Sequence, residues 1–161
     1  MNRESYRAIM RHQTGAVTVI ACGGNGDRAG LTATAVASLS DSPPTVLACV
    51  NRTAGAHDRI QRAKAFSVNL LASDQQSVAE RFAGKDGLKG DARFVGLDWG
   101  TLETGSPILS LALANLDCEL LDQHAFTTHT IFLGRVVAGQ FRSEAKPLLY
   151  FRGDYWDVGP R

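Results

Sequence analysis

The chain has 161 residues, 44% of them hydrophobic, which suits one globular domain with a buried core. Seventeen Lys and Arg residues stand against sixteen Asp and Glu, and they form no basic cluster, which argues against a nucleic-acid-binding protein. No apolar run approaches the roughly 18 residues of a membrane span, and the N-terminal segment lacks the apolar core of a signal peptide. We therefore expect a single cytoplasmic domain over residues 1–161 that binds neither nucleic acid nor membrane.

In chain order, strand patterns outnumber helix patterns. The predicted elements are a helix begun by Asn2 or Ser5, strands over 16–22, 29–40 and 45–51, a helix over 56–65, a strand near 66–70, a helix over 73–84, and strands over 112–121 and 128–141. Ser73 and Gln76 fit a capping box for the third helix, and Pro43 and Pro44 would be confined to a connection. About six strands without a repeated βαβ unit predict an antiparallel barrel.

Two glycine-rich stretches need an interpretation. Gly24-x-Gly26-x-x-Ala29 matches the dinucleotide-binding fingerprint and follows a strand. That fingerprint requires a loop that opens a helix, whereas the residues that follow here are a poor helix start, so we expect a hairpin turn. Residues 84–100 are polar and glycine-rich, which predicts a loop over a site. Its apolar anchors would be Phe94, Leu97 and Trp99.

Three cysteines, Cys22, Cys49 and Cys118, lie in apolar, strand-like stretches without Cys-x-x-Cys spacing. An odd number in such positions is typical of reduced thiols in a reducing compartment. A zinc site at Cys118, His124 and His129 is disfavoured, because the spacing is loose and a fourth ligand is lacking. A nucleophilic cysteine paired with a distant histidine stays open, although nothing marks one thiol as activated.

The stretch from residue 29 to 53 carries the most information about function. Its first half consists of tiny and hydroxylated residues, so a ligand could lie against the backbone, whose N–H and C=O groups suit the polar edge of a flat heterocycle. These residues are Thr32, Ala33, Thr34, Ala35, Ala37, Ser38 and Ser40. The hydroxyls of Ser38, Ser40 and Thr53, with Arg52 nearby, could hold a phosphate. The alternative is an ordinary packed β core, in which Ala and Thr are common.

The order of these motifs resembles that of the short-chain flavin reductases. Gly-x-Thr-Ala, Ser-x-Ser, Pro-Pro, an apolar strand and Asn-x-Thr follow one another between residues 30 and 53. Further matching segments are Arg81-Phe82-Ala83-Gly84, Thr128-His129-Thr130-Ile131-Phe132-Leu133-Gly134, Pro147-Leu148-Leu149-Tyr150 and Gly153-Asp154-Tyr155. Thr128 stands where the family often carries an aspartate before the histidine, so the group that would orient His129 differs here.

The resemblance implies a mainly β, homodimeric split barrel of about six antiparallel strands with a few short helices. It implies reduction of FMN or FAD by NADH or NADPH, release of reduced flavin to a separate oxygenase, and protomers that complete each other's flavin sites. His129 would be the catalytic residue and border the nicotinamide, and no metal is expected. The resemblance assigns to the flavin Thr32, Ala33, Thr34, Ala35, Ser38, Ser40, Cys49, Val50, Asn51, Arg52, Thr53, Phe82, Ala83, Gly84 and Tyr150, with Phe82 at its open face.

Several of these residues also have simpler explanations. His129 could be a half-buried strand histidine bonded to a backbone carbonyl, and Phe82 could be a core residue. Tyr150 and Tyr155 could pack a C-terminal strand or a dimer seam, and Arg52 could be a solvated surface charge. Two other functions also stay open: a split-barrel enzyme that keeps its flavin and reduces a quinone, metal complex or corrin, and a non-catalytic flavin-binding module.

Overall fold

A computed structural model describes residues 1–159 of the chain, and within them it contains three α-helices and twelve β-strands. The helices are α1 (Arg3–Met10), α2 (His57–Ala63) and α3 (Gln76–Phe82). The strands are β1 (Gly15–Ala16), β2 (Thr18–Cys22), β3 (Ala29–Ala33), β4 (Val36–Asp41), β5 (Pro44–Asn51), β6 (Ala65–Leu70), β7 (Trp99–Gly100), β8 (Ile108–Leu109), β9 (Ala114–Phe126), β10 (His129–Phe141), β11 (Leu148–Phe151) and β12 (Asp154–Asp157).

Seven strands form one antiparallel sheet in the order β3-β2-β6-β9-β10-β5-β4. Its two edge strands, β3 and β4, are consecutive in the chain, and only Thr34 and Ala35 separate them. The three peptide units from Ala33 to Val36 span at most about 11 Å, so the two edges must meet at this link. The sheet therefore curls into a barrel, and the predicted mainly β, antiparallel split-barrel fold is confirmed.

Two of the predicted strands are each divided into two in the structure, because their halves pair with different neighbouring strands. The expectation of one strand over residues 29–40 is wrong, because its first half pairs with β2 and its second half pairs with β5. Residues 16–22 are likewise divided at Val17, since β1 leaves the barrel and pairs with β11. Pro44 begins β5 rather than lying in the connection, at the one strand position that tolerates a missing N–H. These breaks raise the number of strands above the expected six.

Several local predictions are confirmed. The side chain of Asn2 caps α1 by accepting a hydrogen bond from the N–H of Ser5 at 2.8 Å. β2 and β3 form a hairpin in which Cys22 pairs with Ala29, so no helix follows the glycine-rich turn. The cap of the third helix differs by one residue, because the side chain of Gln75, not that of Gln76, accepts from the backbone at 3.0 Å. None of the helices in residues 1–159 is long and apolar enough to cross a membrane.

Two apolar clusters fill the molecule. The first lies inside the barrel, where Phe66 and Phe132 are fully buried. The second packs α3 and the glycine-rich loop against the outside of the sheet, around Phe82 and Phe94. Strand β2 contributes to both clusters and is buried on both faces. The loop over residues 84–100 is therefore anchored to the barrel, as the sequence predicts.

Buried amides and a carboxylate fasten a second segment to the barrel. Asn69 accepts a hydrogen bond from the N–H of Leu109 at 2.8 Å, and Asn115 donates to Asn69 at 2.8 Å. Asp117 is fully buried and accepts from the N–H of Thr104 at 2.7 Å. Residues 104–109 thus cover Asn115 and Asp117 on the polar face of β9, and their backbone groups form hydrogen bonds with these buried side chains.

Candidate active site

Four clefts meet where β3 ends and the link to β4 begins. The tyrosine cleft, about 350 Å³, contains Thr32, Ala33, Thr34, Tyr150 and Tyr155. The basic cleft, about 510 Å³, contains Thr32, Thr53, Arg59, Lys89 and Arg93. The helix cleft, about 420 Å³, contains Arg7, Arg11, Thr34, Ala35 and Tyr150. The strand cleft, about 480 Å³, contains Thr34, Ser38, Ser40, Leu116 and Val136. Residues 32–35, which the sequence assigns to a ligand, therefore lie at the centre of the concave surface.

The two segments expected to hold a ring lie side by side. The carbonyl of Ala35 accepts a hydrogen bond from the N–H of Cys49 at 2.9 Å. The ladder between β4 and β5 ends at the pair Val36 and Ala48, so the last residues of β5 run past the end of their partner strand. Asn51 and its neighbours consequently offer a strand edge to a ligand that lies against Thr34 and Ala35. Val50 has a buried side chain, so only its backbone can take part.

His129 begins β10 and is exposed at the end of the barrel. It pairs with Asn51 across the sheet, and its Nδ1 lies 2.9 Å from the hydroxyl oxygen of Thr128. Thr128 is thus placed to orient the His129 ring, and it does so through a neutral hydroxyl rather than a carboxylate. His129 is not the half-buried histidine of the simpler explanation.

The turn after β5 is held together by its own side chains. The Asn51 side-chain oxygen accepts hydrogen bonds from both the N–H and the hydroxyl of Thr53, each at 2.9 Å. Arg52 donates to the carbonyl of Thr127 at 3.4 Å. Because Thr127 lies in the turn between β9 and β10, Arg52 joins this turn to the strand end that carries His129.

Ser38 and Ser40 do not lie with Arg52 and Thr53. Ser38 pairs with Val46 near the start of β5, and five residues of antiparallel strand, about 17 Å, separate Val46 from Asn51. Ser38 and Ser40 line the strand cleft, whereas Thr53 lines the basic cleft. The expectation that all four residues of one protomer surround one phosphate is therefore wrong, because strand register places them at opposite ends of β5.

The basic cleft supplies cations that the sequence analysis did not single out. Arg59 is held by Asp27, to which its Nε donates at 2.8 Å. Arg93 donates to the backbone carbonyls of Gly30 and Phe82 at 3.2 and 3.1 Å. Within residues 1–159, neither Arg93 nor Lys89 pairs with a carboxylate, so their charge is available to an anion. Lys89 and Arg93 lie in the loop that the sequence predicts over a site, and their charge was the signal that could have identified them.

The side chain of Phe82 packs in the core, although the residue also lines the basic cleft. Its side chain is 1% exposed, and its ring lies 5.0 Å from that of Phe94 in an edge-on arrangement. A Cβ on Gly30 would lie only 2.7 Å from this ring, so the glycine of β3 makes room for it. Ala83 follows as an exposed residue that lines both the tyrosine and the basic clefts. Gly84 ends the helix with a φ of +88°, as expected of a helix terminus.

Tyr150 is placed on the opposite side of the link. It pairs with Gly15 through β11 and β1 and lines both the tyrosine and the helix clefts. Its ring lies 5.4 Å from that of Tyr155. The two tyrosines therefore form the wall that faces Thr34.

His57 is a buried histidine that the sequence analysis missed. Its Nε2 lies 2.8 Å from the hydroxyl of Thr130, and its Nδ1 lies 2.7 Å from the carboxylate of Asp58. Its ring is 5.5 Å from that of Phe132. His57 thereby joins the start of α2 to the strand that begins with His129. A histidine followed by an aspartate at a helix start was the only signal in the sequence.

The thiols show no sign of activation. Cys22 and Cys118 are fully buried, and burial raises the pKa of each to about 12. Both therefore stay protonated near neutral pH, which excludes them as nucleophiles. Cys49 is half-buried, and all three cysteines are free. Within residues 1–159, no group of three or more His, Cys, Asp and Glu side chains is arranged to hold a metal ion.

The curled sheet, its backbone edge and the adjoining cationic cleft define a split-barrel protein suited to a flat ligand that carries a phosphate. Residues 10–159 match the model of the flavin reductase like domain, and the chain belongs to that family.

Known relatives agree with this assignment. The chain is 39% identical over 161 residues to "FMN reductase (NADH) RutF 2" of Methylorubrum extorquens, and the match covers 100% of this chain and 92% of that protein. It resembles the structure of the NADH:FAD oxidoreductase SgcE6 of Streptomyces globisporus C-1027, with 31% identity, a TM-score of 0.91 and coverage of 99% and 95%. It also resembles BorF, the flavin reductase component of a bacterial two-component tryptophan halogenase, with 30% identity, a TM-score of 0.90 and coverage of 99% and 100%. Another structure of SgcE6 contains NAD and FAD fragments.

Proposed function

We propose that this protein is an NADH-dependent flavin reductase that reduces FMN or FAD and releases the reduced flavin to a separate oxygenase. The observation that carries the proposal is the contact between residues 32–35 and the end of β5, which creates a backbone edge beside a cationic cleft. The names of these relatives support NADH as the reductant and FMN or FAD as the acceptor. The name of BorF supports a two-component arrangement.

The flavin ring would lie on the backbone at residues 32–35 and 49–51. Ala35 has a side chain too small to hold a ring away from the backbone, and Thr34 is exposed. Beyond the pair of Val36 and Ala48, the strand edge has no partner from β4. A planar ring with polar edge atoms can use such an edge for hydrogen bonds.

The flavin phosphate would lie in the basic cleft. Thr32 lines this cleft as well as the tyrosine cleft, so one ligand can extend from the ring position to the cations. Lys89 and Arg93 supply positive charge, and Thr53 is the residue of the predicted phosphate set that lies there. Charged donors to a phosphate are the stronger class of hydrogen bond, so this cleft suits the anion better than the hydroxyls of Ser38 and Ser40.

Transfer of hydride from the nicotinamide to the flavin is chemistry that the two bound rings supply themselves. The residues of the chain hold the rings against one another and prevent them from sliding. His129, exposed beside Asn51, would border the nicotinamide. The Thr128 hydroxyl near its Nδ1 leaves Nε2 free to face the ligand. His57, by holding the adjacent Thr130, would fix the strand position from which His129 projects.

We also propose that the protein is a homodimer in the cytoplasm, whose protomers complete each other's flavin sites. Large apolar side chains on the sheet are exposed, among them Phe126 at 74% and Phe141 at 80%. Phe126 and Phe141 lie at opposite ends of the hairpin formed by β9 and β10, so an interface that covers both would extend along the whole hairpin. A light-scattering mass near twice 17.3 kDa is expected at micromolar concentration. Three free cysteines suit a reducing compartment.

An anaerobic titration tests the activity directly. Protein with bound FMN or FAD should lose the visible absorbance of oxidised flavin when NADH is added, and NADPH should serve as the comparison. Flavin that binds but is not reduced by either nicotinamide would favour a non-catalytic flavin-binding module. Turnover with free flavin as the varied acceptor would distinguish a reductase that releases flavin from an enzyme that keeps its flavin.

A further inference from the structure

We infer, on the basis of the function proposed above, that the helix cleft is a second anion site, which binds the pyrophosphate of a dinucleotide through Arg7 and Arg11. The cleft measures about 420 Å³ and lies between α1 and the link formed by Thr34 and Ala35. It is separate from the basic cleft, because the two have no lining residue in common.

The close approach of the N-terminal segment to the link creates this cleft. Gly15 follows α1, and a Cβ on it would lie only 2.8 Å from the Cβ of Thr34. Only a glycine permits this approach, which brings the C-terminal end of α1 beside the proposed ring position. A cationic helix end is thus placed within reach of a ligand bound on Thr34.

The helix presents its cations in one row. Arg3, Arg7 and Arg11 recur at intervals of four, the spacing that places side chains on one face of a helix. Arg7 and Arg11 line the cleft, whereas Arg3 does not. Neither Arg7 nor Arg11 forms an ion pair with a carboxylate in the described part of the chain. Paired guanidinium groups suit the phosphate oxygens of a pyrophosphate.

Arg11 is also fixed to the wall that carries the tyrosines. Its backbone carbonyl accepts a hydrogen bond from the N–H of Arg152 at 2.8 Å. Its Nε would lie 3.9 Å from a Cβ placed on Gly153, in the turn between β11 and β12. This turn is also part of the tyrosine cleft. The backbone of Arg11 is therefore fixed to the turn that encloses the neighbouring cleft, and its side chain lies beside that turn.

Thr34 and Tyr150 line both the tyrosine cleft and the helix cleft, so the two clefts adjoin. A dinucleotide has the matching shape, since its redox ring and its pyrophosphate are separated by a sugar. The nicotinamide ring would lie at Thr34, where the tyrosine cleft adjoins the link. The link contacts the end of β5 that pairs with His129. The pyrophosphate would reach Arg7 and Arg11. The flavin phosphate already has cations in the basic cleft, on the other side of residue 32. The second anion is therefore the pyrophosphate of NADH.

The test compares the double variant Arg7→Ala/Arg11→Ala with Arg3→Ala, which removes one positive charge from the same helix outside the cleft. No side chain of α1 is buried, so both variants should fold. In the double variant, the Kd for ADP-ribose, measured by calorimetry, should rise about tenfold or more. The KM for NADH should rise in parallel while kcat stays near the parent value. Arg3→Ala should match the parent in both measurements.

Two further substrates identify the ligand and challenge the inference. N-benzyl-1,4-dihydronicotinamide carries no phosphate, so its kcat/KM should be the same in the double variant and the parent. Weaker binding of FAD with unchanged binding of FMN and of ADP-ribose would contradict the inference, because it would place the FAD pyrophosphate rather than that of NADH at the two arginines. The inference would be overturned if the double variant bound ADP-ribose as tightly as the parent. It would also be overturned if kcat/KM fell equally with NADH and with the phosphate-free reductant. Failure of the parent protein to reduce flavin would instead contradict the proposed function, since ADP-ribose binding does not depend on it.

Discussion

The Nε2 atom of His57 lies 2.8 Å from the hydroxyl oxygen of Thr130, and both side chains are buried. This contact joins α2 to β10 one residue after His129. One buried hydrogen bond therefore connects the start of α2 to the end of β10 that carries His129, the candidate catalytic residue.

Replacing Thr130 with valine should destabilise the protein by about 1–3 kcal/mol. Valine has nearly the same shape as threonine, so the main change is that the buried His57 loses its hydrogen-bond partner. Urea unfolding should show this as a lower midpoint with an unchanged slope. Thr101→Val, at an exposed position, serves as the control and should leave the midpoint unchanged. A Thr130→Val protein as stable as the parent would show that His57 gains nothing from this contact.

His129→Ala should leave flavin affinity within a few-fold of the parent and slow hydride transfer. We expect a decrease of roughly ten- to a hundredfold, which corresponds to the loss of about 1.4–2.7 kcal/mol from a positioning contact. Stopped-flow reduction by NADH should show the defect, whereas reduction of bound flavin by dithionite should be normal. Thr128→Ala should produce a smaller defect of the same kind, since it removes only the neighbour of Nδ1. Loss of flavin binding, or reduction at the parent rate, would return His129 to a structural role.

A leucine at residue 35 should abolish flavin binding in a folded protein, because the side chain would occupy the space of the ring. Ala33→Leu should do the same, but Ala33 also packs against the barrel core, so Ala35 gives the cleaner test. Ala37→Leu is the matched control, since Ala37 is also exposed and lies two residues further on, in β4. Fluorescence quenching of FMN measures the affinity. Parent-like binding by a folded Ala35→Leu variant would mean that the ring lies elsewhere.

Lys89→Ala should weaken FMN binding about three- to tenfold and leave riboflavin binding unchanged, because only FMN carries the phosphate. Ser40→Ala serves as the control and should not discriminate between the two flavins, since Ser40 lines a different cleft. If Ser40→Ala weakens FMN binding selectively and Lys89→Ala does not, the phosphate lies in the strand cleft.

Of the three thiols, Cys49 should be alkylated first by iodoacetamide at pH 8. Burial raises the pKa of Cys22 and Cys118 to about 12, so both lack the reactive thiolate until the pH approaches that value or the protein unfolds. Mass spectrometry of digested protein identifies the labelled residue. Saturating FMN should slow the labelling of Cys49 if the ring covers residues 49–51. Early labelling of Cys22 or Cys118 would contradict the burial of these thiols.

Local sequence patterns were sufficient to predict those features of the fold that depend only on residues close together in the chain. The cap of α1 by Asn2, the hairpin at the glycine-rich turn and the helix end at Gly84 each satisfy backbone groups within a few positions. The family was evident for a similar reason, since its motifs recur in order along the chain. The expectation that residues 32–35 lie beside residues 49–51 came with that resemblance, and the contact between Ala35 and Cys49 agrees with it.

The tertiary structure decided what depends on partners distant in sequence. No local pattern distinguishes one strand over residues 29–40 from two strands that pair with β2 and β5, because the break at Thr34 follows from closing the sheet. Strand register places Ser38 and Thr53 at opposite ends of β5. The absence of a side chain at Gly30 leaves the space that the buried Phe82 ring fills. Lys89 and Arg7 are distant in sequence from the segments that the ligand would occupy, and the curling of the barrel brings them near. The partner of His57, Thr130, is likewise 73 residues away in the chain. The sequence alone determined the chemistry of each segment, but closure of the sheet determined which segments share a site.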